Sequence, residues 1–150
     1  MNFWIVTPSY NQLEWLKLCI ASVYDQASEA IKVHHHIQDA CSSDGTPEWL
    51  EYYAKNIRKN VSQCSNLDTP YTFSYSSEKD EGMYDAINKG WKIASDDVDV
   101  VAHLNCDEQY LPDTLQRIAA CFEEYTNSDV VLADMIVVNE KGDYICHRRS

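Results

Sequence analysis

Glycine is scarce, with four in 150 residues. Neither G-x-G-x-x-G nor G-x-x-x-x-G-K-[ST] occurs, so a glycine-rich phosphate cradle is excluded. Dinucleotide-binding dehydrogenases and P-loop nucleotidases are disfavoured with it. Basic residues are also few: 12 against 24 acidic, a formal charge of −12. Such a surface repels a polyanion, so general nucleic-acid binding is not expected. No run is apolar enough to cross a bilayer. The start, MNFWIVTPSY, has no basic n-region and no small-residue cleavage site. It therefore reads as a first strand and not a signal peptide, and cytoplasm is the expected compartment. The six cysteines form no C-x-x-C pair, so neither a zinc ribbon nor a thioredoxin-type centre is indicated. Buried or incidental thiols are the expected reading.

What the chain does carry is an alternation of strand and helix patterns. Phe3, Trp4, Ile5 and Val6 form a short apolar run ending at Thr7-Pro8. Leu13, Leu16, Ile20, Val23 and Tyr24 then recur at helical spacing, which predicts a helix over about 12–26. Residues 31–37 read as a second strand, followed by the turn-rich loop 39–45. Thr46-Pro47-Glu48 is a helix start: a hydroxyl cap, proline at the first helical position, then an acid. Trp49, Leu50, Tyr53 and Ile57 give that helix its apolar face. Residues 60–70 look polar and irregular, 71–75 a third strand, 83–95 a third helix and 98–104 a fourth strand. Leu115, Ile118, Ala119 and Phe122 mark another helix after Pro112, and 130–133 a fifth strand. Residues 135–138 and 144–146 can pair as a hairpin across Lys141-Gly142-Asp143.

This order predicts an α/β fold, a mainly parallel sheet covered on both faces. Ligands bind such sheets at the carboxyl ends of the strands. Four polar segments fall there: Pro8 to Asn11, Asp39 to Gly45, Ser77 to Glu81, and Asn105 to Glu108. The last is the most informative. An apolar strand breaks off into Asn105-Cys106-Asp107-Glu108, oxygen ligands suited to a hard divalent cation held against a phosphate. With no glycine cradle, Asp107 and a metal are the natural means of neutralising that phosphate. Tyr10 offers a flat face on which a base can stack, and Asp39 can accept a hydrogen bond from a base N–H or a ribose hydroxyl.

In that order, Thr7-Pro8-Ser9-Tyr10-Asn11, Asp39 with Ser43-Asp44-Gly45-Thr46, the stretch Glu78 to Gly90, and Leu104-Asn105-Cys106-Asp107-Glu108 resemble the family-2 inverting glycosyltransferases. The resemblance covers nearly the whole chain. It implies the GT-A fold, a Rossmann-like three-layer α/β/α sandwich with a mainly parallel central sheet, here with a small C-terminal hairpin. It implies one such domain over 1–150, cut short at its C-terminus. It also implies a nucleotide-diphospho-sugar donor, a Mn or Mg ion, and transfer of a sugar, with inversion, to a glycan or lipid-linked acceptor. A lipid-linked acceptor would bring the chain to the inner face of a membrane.

Carried over to this sequence, the resemblance places Pro8 and Tyr10 around the nucleobase and Asp39 on the base. The loop from Glu78 to Gly82 lies near the donor, with Lys79 as an anion partner. Asp85 and Asn88 face the donor sugar. Asn105-Cys106-Asp107 stands where the family has Asp-x-Asp, with Asp107 the metal contact. Asn105 departs from that pattern: its amide can bind a ribose but brings no charge. The family's catalytic base lies beyond a segment like 129–134, so none is assigned here; Asp134, placed at a strand end, is the one late acid offered as a substrate contact.

Other features have plainer readings. His34-His35-His36 would lie on a strand, where only His34 and His36 share a face, so zinc would need a partner from a neighbouring strand. Asp44-Gly45 reads as a turn, and 96–99 as a solvated turn before the fourth strand. A non-catalytic donor-binding domain of the same fold is the alternative to an enzyme.

Overall fold

The computed structural model describes residues 1–63 and 69–150, without the side chains of 58–63. Two compact units can be told apart, Met1–Gln116 and Arg117–Ser150.

The first unit is built on a four-stranded parallel sheet. Its strands are β1 (Asn2–Ser9), β2 (Lys32–Asp39), β3 (Tyr71–Ser77) and β4 (Val100–His103), in the order β3-β2-β1-β4. The helices between them are α1 (Leu13–Tyr24), α2 (Thr46–Gln63) and α3 (Met83–Lys92). A fourth, α4 (Thr114–Glu124), follows β4. The alternation expected from the sequence is therefore observed, and elements agree to within a few residues. Two strands run further than their apolar runs, because polar Gln38, Asp39, Ser76 and Ser77 still pair in register. Residues 60–63, expected to be irregular, continue α2. Residues 64–68, with Cys64, lie outside the described residues.

The two faces of the sheet divide the helices. Phe3, Ile5, Thr7, Val33, His35, Ile37, Tyr71 and Phe73 alternate onto one face. There Thr7 meets Cys19 of α1, and Phe73 makes an edge-to-face contact with Tyr53 of α2, ring centroids 4.9 Å apart. The other face carries Trp4, Val6, His34 and His36, covered by α3. The Trp4 indole N–H donates to the Gly90 carbonyl at 3.0 Å. Three layers result. Phe3, Ile5, Val6, Leu16, Ile20, Val23, Ile37 and Leu50 are fully buried between them.

β1 lies at the centre. β2 and β3 extend the sheet on one side and β4 on the other, so the order reverses between β1 and β4. At the carboxyl end Ser9, Asp39 and Ser77 stand level across three strands. The amino end is closed by Asp99, whose carboxylate accepts the Asn2 N–H at 2.7 Å. That gives one residue of the expected solvated turn a structural partner.

In the second unit, β5 (Met135–Val138) and β6 (Tyr144–Arg148) form the expected antiparallel hairpin. The fifth strand expected over 130–133 is not formed. Its apolar residues find no ladder partner, and Val130 and Leu132 are exposed. No helix among the described residues is long and apolar enough to cross a membrane.

Candidate functional site

The carboxyl edge of the sheet is organised by short polar side chains. Asp39 is fully buried. Its carboxylate accepts hydrogen bonds from the Ser42 N–H (3.1 Å), the Ser42 hydroxyl (2.5 Å) and the Ser77 hydroxyl (2.6 Å). An ionised carboxylate has about four acceptor positions, so most are already used. A base N–H reaching Asp39 would have to displace a serine hydroxyl.

The loops after β1 and β2 are clasped together. Asn11, in the left-handed region at φ 51°, donates its N–H to the Ser42 hydroxyl and accepts the Ser43 N–H at 2.7 Å. Asp44 does more than turn the chain. One carboxylate oxygen accepts the Leu13 N–H at 2.9 Å; the other accepts the Thr46 N–H (3.2 Å) and hydroxyl (2.6 Å). It thereby satisfies orphan donors at the starts of both α1 and α2, and Thr46 is the capped group and not the cap. Tyr10 projects from this clasp 62% exposed, which leaves its face free for stacking. Pro8 is buried within β1.

The loop after β3 is held from α3. The Lys89 ammonium donates to the Lys79 carbonyl at 2.7 Å and pairs with Asp85 at 3.2 Å and Glu78 at 3.8 Å. Asp85 also accepts the Glu81 N–H, which with Lys89 holds its pKa below the ordinary carboxylate value. Gly82, at φ 112°, gives the chain the left-handed turn into α3 that a side chain would strain. Lys79 and Asn88 are exposed. Sequence reading singled out Lys79 as the cation of this loop. Lys89 is the one that organises it, and its i,i+4 spacing from Asp85 was the available signal.

Beyond β4 the Leu104 N–H still bonds to the Val6 carbonyl at 3.1 Å, so the chain leaves the sheet at Asn105. Glu108 folds back to accept the Asn105 N–H at 3.0 Å. Asp107 is exposed and makes no hydrogen bond or ion pair among the described residues. Cys106 is buried, and burial ahead of the neighbouring Asp107 charge pushes its thiol up to about 11. It is inert at neutral pH.

Two buried side-chain atoms among the described residues lack a partner: Ser9 Oγ and Asn105 Oδ1. Both lie at the carboxyl end of the two strands between which the order reverses, Ser9 closing β1 and Asn105 following β4. Buried polar groups are otherwise almost always paired. Sequence reading missed Ser9, whose burial and lack of a partner only the fold reveals. The same atoms bear on a metal. No group of three or more His, Cys, Asp or Glu among the described residues could hold an ion. Magnesium-like ions, however, commonly take one or two carboxylates and fill their shell with phosphate oxygens and water. Exposed Asp107, two residues along from the unpartnered Asn105 oxygen, fits that type.

Residues 4–149 match the family model "Glycosyl transferase family 2". The chain belongs to this glycosyltransferase family. It is 29% identical over 136 residues to a "PGL/p-HBAD biosynthesis glycosyltransferase" of Mycobacterium bovis (strain BCG / Pasteur 1173P2), and equally to its namesake from Mycobacterium tuberculosis (strain ATCC 25177 / H37Ra). Those alignments cover 90% of this chain and 47% of the relatives, so the chain spans about half their length. Among solved structures, S. aureus TarS 1-349 in complex with UDP-GlcNAc superposes with a TM-score of 0.63 at 21% identity, over 84% of this chain and 32% of that one. Mannosyltransferase PcManGT from Pyrobaculum calidifontis, in complex with GDP-Man and Mn2+, gives 0.61 at 18% identity, over 80% and 32%. These likenesses establish the GT-A fold for this family-2 chain.

Asp134 belongs to the second unit. It precedes β5 and does not end a strand. Its carboxylate pairs with His147 at 3.0 Å and accepts the Ser150 N–H at 3.0 Å. The Ser150 N–H, more than His147, holds its pKa below the ordinary value.

Proposed function

We propose that the carboxyl edge of the sheet binds a nucleotide-diphospho-sugar donor and that the protein transfers its sugar, with inversion, to a glycan or lipid-linked acceptor. The observation that carries this reading is the pair of unpartnered buried oxygens, Ser9 Oγ and Asn105 Oδ1, at the switch point of a family-2 glycosyltransferase sheet. A ligand rich in hydroxyl and N–H donors satisfies both. In this reading Tyr10 stacks on the base, with Pro8 behind it and Asp39 fixing the loop that closes over it. Asn105 takes a ribose hydroxyl. Lys79 faces the anionic donor, and Asp85 and Asn88 face the sugar.

Asp107 would hold a Mn or Mg ion together with the diphosphate. When bound, the ion stabilises charge on the leaving diphosphate, which the −12 chain otherwise repels. The reaction is a single displacement: a general base takes the acceptor hydroxyl proton as that oxygen attacks the anomeric carbon. No residue of this edge is assigned as the base.

Titration calorimetry of UDP, GDP and TDP, with and without Mn2+, on wild type and Asp107→Ala tests the reading. Metal-dependent binding of one nucleotide, lost in the variant, is the expected result; no binding of any of them overturns it. Asn105, an amide where the family has an acid, favours a second reading as a donor-binding domain without catalysis. Donor hydrolysis or transfer above background rejects that one.

A further inference from the structure

The face of the sheet under α3 carries an unbroken chain of polar side chains along β2 and β3. The Thr72 hydroxyl lies 2.8 Å from His34 Nδ1, and His34 Nε2 lies 2.7 Å from the Ser74 hydroxyl. The same hydroxyl lies 2.9 Å from His36 Nδ1. His36 Nε2 lies 3.3 Å from Gln38 Oε1, and the Gln38 amide donates to Glu78 Oε1 at 3.3 Å. Glu78 is the first acid of the loop after β3.

The direction of every link follows from the last one. An ionised carboxylate only accepts, so Gln38 must turn its NH2 to Glu78 and its carbonyl to His36. The opposite amide orientation would set two acceptors face to face. His36 therefore carries its proton on Nε2 and leaves Nδ1 bare. The single Ser74 proton goes to that nitrogen. His34 must then donate from its own Nε2, and its bare Nδ1 takes the Thr72 proton. Thr72 is also 3.5 Å from the Val33 carbonyl, a longer alternative. Both rings are thus fixed in the Nε2–H tautomer. Trp4 stacks on His34 with ring centroids 4.0 Å apart and planes 5° apart, which fixes the plane of that ring. Burial lowers the pKa of both, His34 to about 4, so both are neutral at pH 7.

We infer that Gln38, oriented by His36, is a positioning residue for the loop 78–82, acting through Glu78. Gln38 is buried, and its amide is taken up by His36 on one side and Glu78 on the other. What it does is hold one oxygen of Glu78, the oxygen that also faces Lys89. Lys89 in turn holds the Lys79 carbonyl. The ladder inside the sheet thereby ties down the Glu78 side chain, beside the Glu78 N–H that the Asp39 carbonyl accepts at 2.9 Å. Its consequence for donor affinity rests on the function proposed above; its consequence for the loop does not.

Two measurements test it. In wild type at pH 7.5, long-range nitrogen–proton NMR of the imidazoles should show His34 and His36 as Nε2–H tautomers; an Nδ1–H form at either ring overturns the ladder. Gln38→Met keeps the volume and removes the hydrogen bonds. The amide resonances of 78–82 should move, and affinity for the nucleotide that wild type binds with Mn2+ should fall about five-fold. In a Glu78→Ala background, which has no acceptor for the Gln38 amide, the same change should cost no further affinity. Unmoved 78–82 amides reject the inference. Wild-type protein that binds no nucleotide overturns the proposed function instead, while the tautomers and amides still decide this one.

Discussion

Gly90 of α3 lies directly on Val6 of β1: a β-carbon added there would stand 2.6 Å from one Val6 methyl and 2.8 Å from the other. The helix can approach the sheet this closely only without a side chain, and the Trp4 indole N–H seals the contact from below. Val6 is fully buried and branched at the β-carbon, so it cannot swing aside. Gly90→Ala should destabilise the fold by about 1–3 kcal/mol from overpacking, against a helical gain of up to about 1. In a Val6→Ala background the two closest contacts disappear and only His36 Cδ2, at 3.2 Å, stays tight, so the same substitution should cost much less. Urea midpoints of the four proteins check this; an additive result refutes it.

Asp44 joins the first turns of α1 and α2, and its removal should be felt at both. Asp44→Ala should cost about 1–2 kcal/mol, the range of a lost helix cap. Burial opposes its ionisation, but the hydrogen bonds from the Thr46 hydroxyl, Leu13 N–H and Thr46 N–H prevail and lower its pKa below 3.8. Its contribution is therefore complete above the unfolded value and is lost as pH falls through the folded one. Denaturation curves of wild type and variant should lie apart at pH 6 and converge toward pH 2.

The histidines of β2 give a second pH dependence of the same sign for a different reason. Burial, before any neighbouring charge, lowers all three from 6.5, His34 to about 4 and His35 to about 3. Between those values and 6.5 the unfolded chain takes up protons that the native protein refuses. Stability should thus rise with pH over roughly 4 to 6.5 and level off above 7. A flat unfolding midpoint across that interval would refute the neutral, buried assignment.

Asn105 stands where a carboxylate would complete an acidic pair with Asp107. Asn105→Asp should strengthen Mn2+ binding several-fold, read by competition with a metal-sensitive dye. Because Asn105 Oδ1 is buried, the new charge also carries a desolvation cost, and the thermal midpoint without metal should fall. Unchanged metal affinity would show that position 105 faces away from the ion.

How much of this was legible in the sequence depends on the distance over which each residue acts. Helix and strand periodicity, the parallel sheet and its four polar exits follow from local spacing, and they match the fold. Asp44 was read as a turn because the Leu13 N–H that it caps is 31 residues away. The strand expected over 130–133 was read from its apolar content, but a strand exists only with a partner, and sequence does not name one. The histidines illustrate both cases. Alternation correctly put His34 and His36 on one face, while Ser74, the hydroxyl between them, came from another strand. Asn105 was singled out by its place in the segment after the fourth strand, whereas Ser9 could not be told from its neighbours until burial left its oxygen unpartnered.

Ser9, Asp39 and Ser77 end three strands at one level. Everything below that line is a shared platform of ladder and core, and the segments above it are held through a small set of side chains, Gln38, Asp39, Asp44 and Lys89. Such a division makes the upper segments exchangeable. Replacing the residues between those ties while keeping the ties themselves would reshape the upper surface without shifting the register beneath, so a new specificity can be explored at little risk to folding.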